Sequence, residues 1–174
     1  SVLMSLYYKE NPQHLREALD SIFSQTLRSD DVVLVEDGIV GELLEIVVVE
    51  YEQRYPQLHV IRYKQNRGLG YALNDGIKEC RHELVARMDT DDVAKPYRME
   101  RQLAVMSEHP EYGMVSSWID EFVDDIEHVT SVRKLPELPG DVYEYAKKRC
   151  PVNHPAVMYR KSCVLAVSYT HLRA

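Results

Sequence analysis

The chain has 174 residues, of which 45% are apolar, enough to bury the core of a single domain. Its formal net charge is −7 and it has no basic tract, which argues against a nucleic acid or an anionic membrane as its main partner. Three cysteines without metal-site spacing argue against a disulfide scaffold and favour a reducing compartment. No run approaches the roughly 18 apolar residues of a membrane span.

Strand and helix patterns alternate along the first 120 residues. Apolar runs rich in strand formers predict strands at 1–8, 31–38, 58–64, 82–89 and 112–120. Helical spacing predicts helices at 11–26, 41–55, 66–81 and 95–110. Asn11 and Pro12 supply the N-cap and the first position of the first helix. This alternation predicts an α/β fold with a mostly parallel central sheet and helices on both faces.

The pattern is weaker in the last third of the chain. We expect irregular or hairpin structure at 121–136, a helix at 140–150, and a loop that enters a strand at 153–162. The ending VSYTHLRA follows without a completed element. We therefore expect one domain over 1–167 and interpret 168–174 as a non-native tail.

Polar side chains follow three of the predicted strands. Carboxylates end the second and fourth strands, and a hydroxyl pair ends the first: Glu36, Asp37, Asp89, Asp91, Asp92, Ser5 and Tyr7. In open α/β sheets, ligands bind outside the carboxyl ends of the strands. Clustered carboxylates suit a hard cation such as Mg²⁺ or Mn²⁺, which fills its other positions with water and phosphate oxygens. The sequence therefore predicts a metal–diphosphate site.

Other interpretations compete for the same residues. An EF-hand would need Gly where Ala94 stands, and Pro96 would lie inside its loop. A receiver domain would place an acidic pair after the first strand, where this chain has Ser-Leu-Tyr-Tyr. The glycines of NRGLGYALNDG lack phosphate-loop spacing. A plain acidic turn that caps the helix beginning near Lys95 stays open as the structural alternative.

Four motifs in order resemble family 2 glycosyltransferases of the GT-A fold. They are SVLMSLYYKENPQHLREALDSIFSQT, VVLVEDG, NRGLGYALNDGI and ARMDTDDVAKPYRMERQ, and they cover about residues 1–120. The segment NHPAVMYRKS extends the resemblance toward bacterial enzymes that build capsular polysaccharide or exopolysaccharide. The resemblance implies transfer of a sugar from a nucleoside diphosphate donor, usually UDP-linked, to an acceptor hydroxyl, with inversion.

The resemblance also implies roles for individual residues. Asp89-Thr90-Asp91 matches the D-x-D motif, so that Asp91 would bind Mg²⁺ or Mn²⁺, Asp89 the ribose or the metal, and Asp92 would support the site. Asp37 matches the carboxylate that hydrogen-bonds the donor base. The residues implied to contact the nucleotide are Ser5, Tyr7 and Arg67.

The acceptor side is less well marked. The family's general base is an acidic residue beyond NHPAVMYRKS, where we expect this chain to be truncated. His154 is a candidate to line the acceptor pocket, to approach the metal or to take part in the reaction. The alternative is a loop histidine that only hydrogen-bonds to the backbone. Trp118 is expected in the core at the end of the fifth strand, with stacking on an acceptor sugar as the alternative.

The resemblance also implies the partners and the location of the protein. The expected partners are a nucleoside diphosphate sugar as donor and a saccharide or lipid-linked saccharide as acceptor. The expected location is the cytoplasm, with peripheral association at the inner face of the membrane. Two other functions stay open. A nucleotidyltransferase would need a Gly-rich basic signature where the chain has YYKENPQHL, and a non-catalytic nucleotide-sugar-binding fragment would lack the base.

Overall fold

A computed structural model describes residues 1–123 and 126–167. Its strands are β1 (Val2–Leu6), β2 (Val32–Glu36), β3 (Leu58–Arg62), β4 (Leu84–Asp89), β5 (Met114–Val115), β6 (Ile119–Phe122), β7 (Val129–Arg133) and β8 (Met158–Arg160). Its α-helices are α1 (Pro12–Phe23), α2 (Glu42–Arg54), α3 (Leu69–Glu79), α4 (Arg98–Glu108), α5 (Pro139–Ala146) and α6 (Lys161–Val167). A 3-10 turn, His154–Ala156, precedes β8. The predicted tail, 168–174, lies outside the described residues.

The main sheet has six strands in the order β3-β2-β1-β4-β8-β5. The first four strands of that order pair in parallel, and β8 lies antiparallel between β4 and β5. Strands β6 and β7 form a separate antiparallel hairpin. The predicted mostly parallel sheet is therefore confirmed, and the hairpin expected at 121–136 is present but begins earlier, at Ile119.

Alternate side chains along the strands point to opposite faces of the sheet, and each face is covered by a layer of helices. On one face, side chains such as Val2, Met4 and Leu34 share a core with α1, α2 and α4. On the other face, Leu3 and Val33 share a core with α3 and α6. This period-2 division of the core confirms the prediction of helices on both faces.

The prediction for 112–120 is wrong. Within this span Met114 and Val115 form β5, Ile119 and Asp120 begin β6 of the separate hairpin, and the next neighbour of β4 in the sheet is β8. Gly113 precedes β5 and two serines follow it, and these residues are weak strand formers. Trp118 therefore lies in a connection and is 43% exposed, so its placement in the core was also wrong.

The strands on either side of β1 end level with it. Ser5 is opposite both Val35 and Asp89, and Leu6 is opposite Glu36. Parallel strands in this register bring their carboxyl ends to one edge. Among residues 1–123 and 126–167, every helix is too short or too polar to span a bilayer.

Gly76 is the point where α3 touches the sheet. A Cβ at this position would lie 2.5 Å from Leu3 Cδ1 and 2.8 Å from Val35 Cγ2, in a fully buried layer. We expect Gly76→Ala to lower the free energy of unfolding by about 1–3 kcal/mol, because overpacking outweighs the gain in helix propensity. Chemical denaturation measures it. Gly70→Ala, in the same helix with open space around it, is the control and should not destabilise.

Glu36 is a buried carboxyl at the end of β2. It is 3% exposed, its Oε1 has no hydrogen-bond partner among the described residues, and Arg62 Nε lies 3.5 Å from its Oε2. Burial, reinforced by neighbouring Glu45 and opposed by Arg62, raises the pKa of Glu36 from 4.5 to about 7. The folded chain therefore favours the protonated form of this side chain.

The raised pKa makes stability depend on pH. The stabilisation that the folded chain gains by protonating Glu36 is fully present below pH 4.5 and is lost as pH rises through 7. Between pH 5 and pH 8, we expect the parent chain to lose about 2 kcal/mol of unfolding free energy that Glu36→Gln retains. Urea denaturation across this range measures the difference. Parallel pH curves for the two proteins would contradict it, and Glu17→Gln, at an exposed site, should keep the parent slope.

Candidate functional site

Three aspartates converge just beyond the end of β4. Asp89 is the last residue of the strand, and Asp91 and Asp92 follow in the turn. One carboxylate oxygen from each lies within 4.8 Å of the others. The buried Thr90 fixes this turn, because its Oγ1 donates a hydrogen bond to the Ser5 carbonyl oxygen at 3.2 Å. The three predicted carboxylates therefore lie together in space, and Thr90 ties their turn to the neighbouring strand β1.

Two arginines, the buried Arg87 and the partly buried Arg98, lie beneath this acidic cluster. Arg87, which is 1% exposed, donates from Nη2 to Asp89 Oδ1, while its Nε and Nη1 have no partner among the described residues. Arg98 donates to the Arg87 carbonyl oxygen at 2.6 Å. Burial, together with the charge of Arg87, lowers the pKa of Arg98 to about 10, so it is still a cation at neutral pH.

The carboxylates repel one another despite these cations. Burial, then Asp89 and Asp91, raises the pKa of Asp92 to about 6. Burial also raises the pKa of Glu10, in the β1–α1 connection, and Asp91 and Asp89 raise it further. Oxygen donors held together at this cost are the ligand set that Mg²⁺ or Mn²⁺ prefers. The residues present therefore fit a divalent cation.

Asp37 binds a neighbouring loop with both carboxylate oxygens. Its Oδ1 accepts a hydrogen bond from the Arg67 backbone N–H at 2.6 Å, and its Oδ2 accepts one from the Gly68 N–H at 2.8 Å. Asn66 Nδ2 donates to the Asp37 carbonyl oxygen at 3.1 Å. Gly38 has a φ of 96°, and a Cβ there would lie 2.6 Å from Asn66 N. Asp37 therefore positions the start of α3, a role that the sequence did not indicate.

Near the N-terminus of α3, the Arg67 side chain packs against two tyrosine rings. Its Nη1 lies 2.9 Å from Asp75 Oδ2, and its guanidinium carbon lies 4.9 Å and 5.1 Å from the ring centres of Tyr63 and Tyr71. The Tyr63 hydroxyl also donates to Asp75, at 2.6 Å. About half of the Arg67 side chain is exposed, so a cationic surface stands beside the Asp37 loop.

Directly after β1, Tyr7 and Tyr8 place two aromatic rings at the same edge of the sheet. Tyr7 is 40% exposed and packs edge-on against Tyr8, with ring centres 5.9 Å apart. The Tyr7 carbonyl accepts the Glu10 N–H at 3.2 Å, which turns the chain back toward α1. Ser5, partly buried, is directly opposite Asp89. These residues border the acidic cluster.

His154 also approaches the acidic cluster, from the other side. The adjoining Asn153 donates from Nδ2 to the Ser117 carbonyl oxygen at 2.8 Å, and Gln102 Nε2 donates to the Ala156 carbonyl oxygen at 2.8 Å. Burial and the charge of Arg87, opposed by that of Asp89, lower the pKa of His154 to about 4. The ring is therefore neutral at pH 7.

The structure gathers most predicted site residues at one edge, together with residues that sequence reasoning missed. Ser5, Tyr7 and the aspartates of the cluster adjoin there, whereas Asp37 and Arg67 act through the loop that starts α3. Arg87, Arg98, Gln102 and Asn153 were missed. The one available signal was Arg87 itself, a charged residue within the apolar run LVARM, where a buried cation requires a partner.

Solved structures with this fold include the S. aureus protein TarS, residues 1–349, in complex with UDP-GlcNAc. Its TM-score is 0.68 at 21% identity, covering 95% of this chain and 46% of that one. A second is the mannosyltransferase PcManGT from Pyrobaculum calidifontis in complex with GDP-Man and Mn²⁺, with a TM-score of 0.68 at 16% identity over 95% of this chain and 45% of that one. These likenesses confirm the predicted GT-A fold.

Curated relatives match over nearly the whole chain. An uncharacterized glycosyltransferase of Haemophilus influenzae is 46% identical over 95% of this chain and 61% of its own length. The amylovoran biosynthesis glycosyltransferase AmsE of Erwinia amylovora is 41% identical over 98% and 64%. An Escherichia coli UDP-Gal:alpha-D-GlcNAc-diphosphoundecaprenol beta-1,3-galactosyltransferase is 36% identical over 96% and 60%.

The chain thus spans about 60% of the length of these relatives. The match to a family model is equally extensive, because the model described as glycosyl transferase family 2 aligns with residues 1–164 and includes every site residue discussed above. The chain belongs to glycosyl transferase family 2.

Proposed function

We propose that the acidic edge binds the nucleoside diphosphate sugar donor, UDP-linked, of a metal-dependent, inverting glycosyltransferase. The observation that carries this proposal is the convergence of Asp89, Asp91 and Asp92 beside the β1 end and the Asp37 loop. A relative at 36% identity is named for a UDP-galactose donor, and structures of the same fold hold UDP-GlcNAc in one case and GDP-Man with Mn²⁺ in another.

Each residue has a distinct proposed task. Asp91 and Asp89 hold Mg²⁺ or Mn²⁺, and Asp92 supports them from a partly buried position. The metal, when bound, supplies Lewis-acid stabilisation of the negative charge on the leaving diphosphate. Ser5 and Tyr7 line the nucleoside side of the site. Arg87 donates a hydrogen bond to Asp89 and orients its carboxylate before any ligand arrives.

We assign Asp37 two linked tasks in the donor pocket. Its carboxylate holds the Arg67 and Gly68 backbone N–H groups, which sets the wall on which the donor base rests. Each carboxylate oxygen has a second lone pair, so the same side chain retains capacity for the base contact that the family resemblance implies. Arg67 adds positive charge at this wall, with its guanidinium held by Asp75 and two tyrosine rings.

The proposed reaction is a single displacement at the anomeric carbon of the donor sugar. The bond from this carbon to the acceptor oxygen forms as its bond to the diphosphate oxygen breaks, and UDP leaves. The acceptor hydroxyl loses its proton to a general base. His154 is a poor candidate for that base, because its pKa of about 4 makes the neutral ring a weak proton acceptor at pH 7. The family resemblance instead assigns the base to an acidic residue.

We propose a saccharide linked through a diphosphate to a polyprenol as the acceptor. The support is the E. coli relative, whose name gives GlcNAc-diphosphoundecaprenol as its acceptor, and the role of AmsE in polysaccharide biosynthesis. An acceptor of this kind resides in a membrane. Peripheral association of the protein with the inner membrane face is therefore part of the proposal.

Calorimetric titration with UDP, with and without Mn²⁺, tests the donor site. We expect Mn²⁺ to tighten UDP binding at least tenfold in the parent chain, because the cation bridges two anionic partners. Asp91→Asn should abolish most of this gain. Asp30→Asn removes an exposed carboxylate next to the opposite edge of the sheet and should leave it intact. Equal UDP affinity with and without Mn²⁺ in the parent chain would contradict the proposal.

A further inference from the structure

A groove of about 620 Å³ lies beyond β8, at the far side of the sheet from the Asp37 loop. One wall is the segment 112–118, which includes β5, and the other is formed by 135–146 together with Pro151 and Val152. The Trp118 indole Nε1 donates to the Leu135 carbonyl oxygen at 2.9 Å and ties the two walls together. The groove is therefore a feature of the fold.

This groove adjoins the acidic edge. Strand β5 runs in the same direction as β4, because each is antiparallel to β8, so its carboxyl end points toward the same edge. The Ser116 hydroxyl accepts the Asn153 N–H at 3.1 Å, and the Ser117 carbonyl oxygen accepts a bond from the Asn153 side chain. The next residue, His154, feels the charge of Asp89. Two residues thus separate the groove wall from the donor site.

The lining of the groove is apolar and aromatic. Leu135, Pro136, Val142 and Ala146 contribute aliphatic surface, and α5 has no buried residue of its own. Trp118 is 43% exposed and Tyr143 is 66% exposed. An exposed surface of this composition in an acidic chain marks a binding site for an apolar ligand rather than a solvated face.

Cations stand at the two aromatic rings. Lys134 Nζ lies 4.8 Å from the Trp118 ring centre, and Lys147 Nζ lies 4.6 Å from that of Tyr143 and also pairs with Glu144 at 2.6 Å. Glu111 and Glu137 supply the carboxylates of the lining, and among the described residues no amide side chain lines it. Apolar walls with cations above them suit an amphiphile that carries an anionic group.

We propose that this groove binds the polyprenyl diphosphate end of the acceptor. The isoprene units contact the apolar wall, and Lys134 and Lys147 stand beside the diphosphate. The attached saccharide then extends toward His154 and the donor site. This assignment rests on the proposed glycosyltransferase function and adds to it the surface that selects a lipid-linked acceptor over a free saccharide.

The single tryptophan of the chain allows a direct test, because Trp118 lies in the groove. Farnesyl diphosphate, a short soluble polyprenyl diphosphate, is titrated while tryptophan emission is followed. We expect a saturable change with a midpoint at least tenfold lower than for farnesol, which lacks the charge, or inorganic pyrophosphate, which lacks the chain. Equal midpoints for farnesol and farnesyl diphosphate would overturn the proposal, as would a change seen only with phosphatidylglycerol vesicles.

Variants separate this groove from the donor site. Lys134→Gln should raise the farnesyl diphosphate midpoint about five- to tenfold without changing the affinity for UDP with Mn²⁺. Arg101→Gln is the matched control, because Arg101 stands over the Tyr97 ring at 5.9 Å and lies outside the groove. A Lys134→Gln midpoint equal to that of the parent would overturn the proposal.

Two combined outcomes distinguish a failure of the groove assignment from a failure of the proposed function. A parent chain that binds UDP with Mn²⁺ but shows no response to farnesyl diphosphate overturns the groove assignment alone. Binding of farnesyl diphosphate without binding of UDP contradicts the proposed function, and with it the identification of this ligand as the acceptor.

Discussion

The register of β1 between β2 and β4 is the constraint on which the rest of the site depends. Ser5 faces Val35 on one side and Asp89 on the other, so three strands end within a residue of each other. A slip of one residue would turn the apolar set of β1 toward the wrong layer and separate Thr90 from the Ser5 carbonyl oxygen. Because both faces of β1 are buried, packing fixes this register and thereby the position of every carboxylate at the edge.

Charge at the edge is arranged in two levels. Carboxylates occupy the outer level, where mutual repulsion and burial raise the pKa values of Asp92 and Glu10. Arg87, which is buried, and Arg98, which is partly buried, occupy the inner level. The inner cations oppose the rise in the pKa of Asp92, but they are held at fixed positions behind the strand end. The repulsion that is left favours a mobile divalent cation on the outer side, which a diphosphate can share.

Local patterns predicted the elements best where they are strong, and nonlocal contacts account for what was missed. Asn11 accepts the Gln13 N–H at 2.8 Å, as an N-cap should, and the DTDD cluster lies at the predicted strand end. Strand β8 has only three residues, too few to show a period, so its insertion beside β4 was not foreseen. The Asp37 contacts were also hidden, because the partners are backbone N–H groups about 30 residues away, whose identity no side chain reveals.

The central claim is that the metal binds between Asp89, Asp91 and Asp92. A crystal structure of the chain grown with UDP and Mn²⁺, with data collected at the manganese absorption edge, tests it most directly. The account predicts one strong anomalous peak within coordination distance of Asp91 and a second cluster aspartate, beside the diphosphate of UDP. An anomalous peak elsewhere, or UDP bound at this edge with no manganese against the aspartates, would contradict it.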